Sequence, residues 1–105
     1  MIEEEKIKLV SEQIVKACNP IKIILMSHKI SVTSELISFK LCVVVHDDVP
    51  NISELECNLY MEIDSEIPYD MVIYKESEWN KLICDHDTFA SKINRTGTVI
   101  YEQGV

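Results

Sequence analysis

The chain of 105 residues carries a formal net charge of −8, and 47% of its residues are hydrophobic. This length and apolar share predict one domain spanning residues 1–105 with its own core, and they argue against disorder and long linkers. The negative charge, with no cluster of lysine and arginine to offset it, argues against general nucleic-acid binding.

The apolar runs, the first residues and the cysteines indicate the cellular compartment of the protein. No apolar run is long enough to span a bilayer, and the acidic start of the chain is unlike a secretory signal, so we expect a cytoplasmic protein with no membrane partner. Four cysteines lie far apart, with no pair at the spacing of a zinc or redox motif. The spacing therefore predicts reduced, buried thiols and no metal bound by cysteine.

The first half of the chain predicts one helix and two strands. Apolar residues at intervals of three and four predict a helix over residues 3–18, which Asn19-Pro20 ends. Apolar runs predict strands over 22–26 and 38–46. The polar connection between them predicts a helical turn over 33–37, so that the first strand would hand over to a short helix.

The second half alternates between helices and strands. A helix is predicted over residues 52–66, a strand over 69–75, helices over 76–84 and 88–95, and a last strand over 98–101. Alternation of this kind indicates an α/β (α+β) fold. The short first connection permits antiparallel strands, and the helical crossover that follows permits parallel ones, so the sheet should be mixed.

Several motifs in this order are similar to those of a known family. Ile67-Pro68-Tyr69-Asp70 on a strand, Glu78-Trp79 on a helix and a closing Gly97-Thr98-Val99-Ile100-Tyr101-Glu102 resemble the minimal nucleotidyltransferase domains of the polymerase-beta-like superfamily. The early stretch from Asn19 to Leu25 resembles their first strand. The resemblance covers almost the whole chain and implies a mixed sheet of about four strands with helices packed mainly on one face.

The resemblance is weak at the catalytic positions. In the family, a Gly-Ser after the first strand begins a helix, an Asp-x-Asp lies on the second strand, and a third acidic residue completes a site for two magnesium ions. Here Asp70 matches the third acidic position. Gly-Ser falls on Ser27-His28 or Met26-Ser27, and Asp-x-Asp falls on residues 39–41 or 38–40, according to the alignment register. Neither register supplies a carboxylate.

The strand pattern favours one of the two registers. Phe39 and Leu41 belong to the apolar set of the second strand, so they should face the core and leave Ser38 and Lys40 on the site face. The opposite register would bury an unpaired ammonium group. We therefore expect Lys40 to occupy the space of a metal ion and to pair with Asp70.

These residues define a vestigial pocket, which the sequence predicts to comprise Ser27, His28, Ser38, Lys40 and Asp70, with no catalytic residue and no metal. Simpler interpretations stay open. Asp70 fits a solvated strand residue equally well, and Ser27-His28 fits an ordinary helix cap better than a phosphate-binding nest.

Three functions follow as hypotheses. The first is an inactive nucleotidyltransferase-like binding or regulatory module without cofactor, which binds itself or a helical partner protein, as the antitoxin half of toxin–antitoxin pairs does in the family. The second is an active nucleotidyltransferase that uses magnesium and a nucleoside triphosphate and recruits Glu35 or Asp64. The third is a metal-free nucleotide or anion binder that uses Ser27, His28 and the lysines Lys29 and Lys40.

Overall fold

The computed structural model describes the backbone of residues 2–104 and the side chains of residues 5–104. Within that range it has four helices and four strands. In chain order these are α1 (Ile2–Cys18), β1 (Lys22–Ile30), β2 (Leu36–Val45), α2 (Ile52–Glu62), β3 (Tyr69–Lys75), α3 (Glu76–Leu82), α4 (Phe89–Thr96) and β4 (Thr98–Glu102).

The four strands form one mixed sheet in the order β3-β2-β1-β4. β1 is antiparallel to both β2 and β4, whereas β2 and β3 are parallel. The parallel pair is the one whose connection contains a helix, because a parallel neighbour requires a crossover. The predicted α+β class and the mixed four-stranded sheet are confirmed.

Helices cover the sheet from both sides. α1 and α2 pack on one face, called here the first face, over a core that includes Ile14, Leu41 and Leu59. α3 and α4 cover part of the second face, where Trp79 and Ile93 pack on the strands. We expect helices mainly on one face of the sheet, and the two longer helices do pack together on the first face. The two shorter helices pack on the second face.

The predicted helical turn over residues 33–37 is wrong, because this segment closes a β-hairpin. β1 continues to Ile30 and β2 begins at Leu36. The hydroxyl of Ser31 accepts hydrogen bonds from the backbone N–H groups of Thr33 and Glu35, both at 3.2 Å, and thereby closes the loop. Pairing along the hairpin and burial of Leu36 in the first core outweigh the local helical pattern.

Contacts distant in sequence fix where α2 ends. We expect Ser53 or Asn51 to cap its start, and Asn51 does so by accepting a hydrogen bond from Glu54 N–H at 3.0 Å. The helix stops at Glu62, four residues before the predicted end. The side-chain amide of Gln13 on α1 bonds both backbone groups of Asp64, donating at 2.8 Å and accepting at 2.9 Å, and so replaces the next helical turn.

α4 is capped by a different residue than the sequence predicts, and α3 is capped by a residue distant in sequence. We expect Asp87 to cap α4, but Thr88 does so, accepting from Ser91 N–H at 3.1 Å. At α3 the carboxylate of Asp47, in the turn after β2, accepts from Ser77 N–H at 2.9 Å. That contact spans thirty residues, so local sequence patterns do not reveal it.

Replacing Leu41 tests the orientation of β2. The Leu41 side chain is 0% exposed, whereas the neighbouring Lys40 is exposed. We expect Leu41→Ala to lower the free energy of unfolding by about 2–5 kcal/mol through the lost burial and the cavity. Lys40→Ala, the matched control one residue away, should change it by less than about 0.5 kcal/mol. Urea unfolding measures both values, and equal effects would contradict the orientation.

A second stability test concerns Gly97, where α4 meets β1. Its backbone is extended, with a φ of −80°, so glycine is not needed here for a left-handed conformation. It is needed because neighbouring atoms of α4 and β1 approach its Cα closely. A Cβ at this position would lie 2.8 Å from the carbonyl oxygen of Ile93 and would collide with the side chain of Ile24. Gly97→Ala should therefore lower the melting temperature and cost about 1–3 kcal/mol, and an unchanged thermal denaturation curve would contradict this packing.

Candidate functional site

Strand register brings three of the five predicted pocket residues into one row. Ser27 on β1 is opposite Lys40 on β2, and Lys40 is opposite Asp70 on β3. Side chains of directly paired residues lie on the same face of a sheet, here the second face. In the next row, Lys29 is opposite Ser38. These two successive rows form one surface of Ser27, Lys29, Ser38, Lys40 and Asp70, which is called here the polar row.

Burial agrees with the register that the strand pattern favoured. Phe39 is 1% exposed and packs in the first core with Leu41. Lys40 and Asp70 are both exposed on the opposite face, beyond the part that α3 and α4 cover. The orientation expected for Phe39, Lys40 and Leu41 is therefore the observed one.

The remaining predicted pocket residue, His28, lies elsewhere. It is opposite Phe39, and so it belongs to the first face of the sheet. A register irregularity between Leu25 and Ser27 inserts Met26 as an extra residue in β1, which exchanges the faces of all later residues in the strand. The grouping of His28 with Ser27 and Lys40 is therefore wrong.

Lys40 and Asp70 are neighbours without a close ion pair. Among the residues with described side chains, the ion pair within 4.0 Å joins Lys22 Nζ to Glu102 Oε2 at 3.5 Å, and the expected contact of Lys40 with Asp70 is not formed. Two exposed charges at adjacent strand positions still attract one another weakly, by about 1 kcal/mol or less. The row thus has both signs of charge, and its two lysines outnumber its one carboxylate.

The surroundings of Ser27 differ from a phosphate-binding strand–helix junction. Ser27 and His28 lie inside β1, so no helix begins after them. Both candidate additional carboxylates are distant: Glu35 lies in the hairpin loop, where it accepts from the Thr33 hydroxyl, and Asp64 follows α2 on the first face. Across the described side chains, no group of three His, Cys, Asp or Glu residues is placed to hold a metal ion.

The far half of the hairpin is a feature that sequence reasoning missed. β4 pairs with β1 only as far as Leu25, and β3 pairs with β2 only from Phe39 onward. Residues 27–38, called here the ribbon, therefore have outer edges that no strand within residues 2–104 pairs with. Ile30, Val32 and Ile37 are exposed on it. The ribbon combines unpaired backbone groups with apolar side chains, which is typical of binding surfaces.

Three aromatic rings meet where β3 begins. Tyr69 stacks on Phe39 with ring centroids 5.4 Å apart, and Tyr60 of α2 packs on Tyr69 at the same distance. The Tyr69 hydroxyl oxygen is buried, and no residue with a described side chain forms a hydrogen bond to it. Burial, and then the neighbouring Tyr60, raise the pKa of Tyr69. This hydroxyl stays protonated and neutral, so it fits a packing role.

The four cysteines are all free thiols, as predicted, but only some are buried. Burial raises the pKa of Cys18 to about 11 and that of Cys42, despite the opposing charge of Lys22, to about 12. Cys57 on α2 and Cys84 after α3 are exposed, which corrects the expectation of buried thiols.

Two open clefts lined by described residues lie away from the polar row. One of about 390 Å³ is lined by α1 and the segment after α2, and one of about 800 Å³ lies between α1 and β4. Neither cleft contains a predicted pocket residue. None of the helices described within residues 2–104 is long and apolar enough to cross a membrane.

Comparison with known proteins gives no family for this chain. No protein-family model matches the sequence, and no curated protein and no solved structure matches it.

Alkylation tests whether two of the four thiols are shielded and the other two are exposed. Iodoacetamide reacts with the thiolate, so the raised pKa and the burial of Cys18 and Cys42 should make these two unreactive near pH 8. We expect intact-mass spectrometry of the folded protein to show rapid modification of Cys57 and Cys84 only. In urea all four should react, and rapid modification of Cys42 in the folded protein would contradict the structure.

Proposed function

We propose that this protein is a non-catalytic binding module with a nucleotidyltransferase-like fold that acts by binding a protein partner or itself, in the manner of an antitoxin. The observation that carries the proposal is the row from Ser27 through Lys40 to Asp70. A nucleotidyltransferase needs carboxylates on neighbouring strands to clamp magnesium and the triphosphate. Here an ammonium group stands beside the one carboxylate, and it repels a divalent cation.

The path of the chain supports the same proposal. Nucleotide binding in the family that the sequence resembles uses a helix that begins after the first strand. In this chain β1 runs on through Ser27 and His28 into the hairpin. The helix N-terminus that would attract a triphosphate is therefore not formed at this position.

The ribbon supports a role in protein binding. It carries exposed Ile30, Val32 and Ile37 next to strand edges that lack a neighbour. Exposed apolar side chains beside unpaired backbone donors and acceptors suit a partner strand or a partner apolar patch. One register irregularity at the base of the ribbon, a second one within it, and the exposed Lys29 counteract uncontrolled strand pairing.

A second candidate is a metal-free anion site on the polar row. Lys29 and Lys40 lie in adjacent rows of one open face, with the hydroxyls of Ser27 and Ser38 beside them. Two ammonium groups and two hydroxyls suit a phosphate group. Asp70 in the same row opposes such binding.

Calorimetric titration with ATP and GTP, with and without magnesium, separates these functions. For the binding module we expect no heat of binding with either nucleotide, because the row offers no metal clamp. Binding that requires magnesium would contradict the proposal. Binding without magnesium that Lys29→Ala/Lys40→Ala abolishes would establish the anion site instead. Both substitutions are on exposed positions, so the variant should keep its circular-dichroism spectrum and its unfolding midpoint.

A further inference from the structure

The negative charge of this chain is concentrated in one segment. Residues 41–74 contain eight Asp and Glu residues and no Lys or Arg, whereas the remainder of the chain has ten of each sign. The whole formal net charge of −8 therefore arises from this segment. Its centre is α2, which lies on the surface of the first face.

The outward side of α2 combines carboxylates with exposed apolar groups. Leu59 points to the core, and the opposite side presents Glu54, Asn58 and Met61 at intervals of three and four residues. Met61 is 80% exposed, so its side chain contributes little to packing within this chain. Tyr60, 40% exposed, adjoins this stripe. The surface with Glu54, Asn58, Tyr60, Met61 and Glu62 is called here the α2 face.

The carboxylates of the α2 face are not neutralised from within. No Lys or Arg of the described side chains lies within 4.0 Å of Glu54 or Glu62. Tyr60 also responds to carboxylates beside this face: burial raises its pKa, a backbone N–H of Met71 opposes this, and the charges of Glu56 and Asp70 add to the rise. A positively charged partner would supply the opposite charge that Glu54 and Glu62 lack within this chain.

Charge excludes several occupants of this face. A second copy docked through the same helix would bring its own Glu54 and Glu62 against these residues. Nucleic acid and anionic membranes are repelled for the same reason. A metal ion does not account for Met61 or Tyr60, and the described carboxylates form no group of three placed to hold one. A positively charged protein surface satisfies both the carboxylates and the apolar side chains.

We propose that the α2 face docks a basic partner protein, which places an apolar pocket over Met61 and a rim of lysine or arginine against Glu54 and Glu62. This inference rests on the proposed role as a binding module and adds the chemistry of the partner. Met61 is the apolar anchor, because an unbranched thioether adapts to a partner pocket. The carboxylates steer association and set the orientation of the partner.

The probe is a fluorescein-labelled amphipathic peptide of roughly 15 residues of lysine and leucine, long enough to cover α2 when helical. Fluorescence anisotropy with the full chain should show binding that weakens with salt, and the glutamate-for-lysine peptide should not bind. Glu54→Gln/Glu62→Gln should weaken binding roughly tenfold. Met61→Gln, which leaves the charge unchanged, should weaken it roughly threefold to tenfold.

Glu76→Gln/Glu78→Gln on α3 is the matched control, because it removes the same charge from an exposed helix on the second face. It should change the affinity less than about twofold. An equal loss in this control, an unaffected Met61→Gln variant, or no binding of the basic peptide would each overturn the inference. These results are independent of magnesium-dependent nucleotide binding, which would instead contradict the proposed function. Circular dichroism confirms that each variant is folded.

Discussion

The pairing of β1 with β2 determines the rest of this structure. Had the ladder stayed regular after Leu25, His28 would lie opposite Ser38 on the second face. The extra residue at Met26 shifts the strand by one position, so Ser27 and Lys29 take that face and His28 takes the first. Met26 itself packs against the second core. One inserted residue therefore decides which side chains form the polar row.

The orientation of Lys40 follows from the core and not from the site. Phe39, Leu41 and Val43 are buried against α1 and α2, so the residues between them must face the opposite side. Turning the strand over would bury the Lys40 ammonium without a partner and would turn Phe39 toward the uncovered part of the second face, which together cost far more than any surface ion pair contributes. The polar row thus follows from apolar packing, and its lysine does not depend on a contact with Asp70.

Local patterns predict what is local in this fold. The apolar periodicity of α1 and the β-branched run of β3 predict those elements well. The alternation of side chains along β3 also places Asp70 correctly on the second face. The misses are non-local. The serine-rich connection suggests a helical turn, yet pairing across the hairpin outweighs it. Gln13 ends α2 from another helix, and the inserted residue in β1 has no sequence signature, so the grouping of His28 with Lys40 is wrong.

The charges of the two faces differ in a way that bears on binding. Lys29 and Lys40 lie on the second face, whereas Glu54 and Glu62 of α2 lie on the outer side of the first, so the sheet separates the two lysines of the polar row from the two carboxylates of the α2 face. A basic protein is attracted to the α2 face and repelled by the polar row, so it approaches in one orientation. An anion experiences the opposite preference. A partner bound at α2 therefore leaves the polar row free, and the two surfaces are able to act without competing for the same ligand.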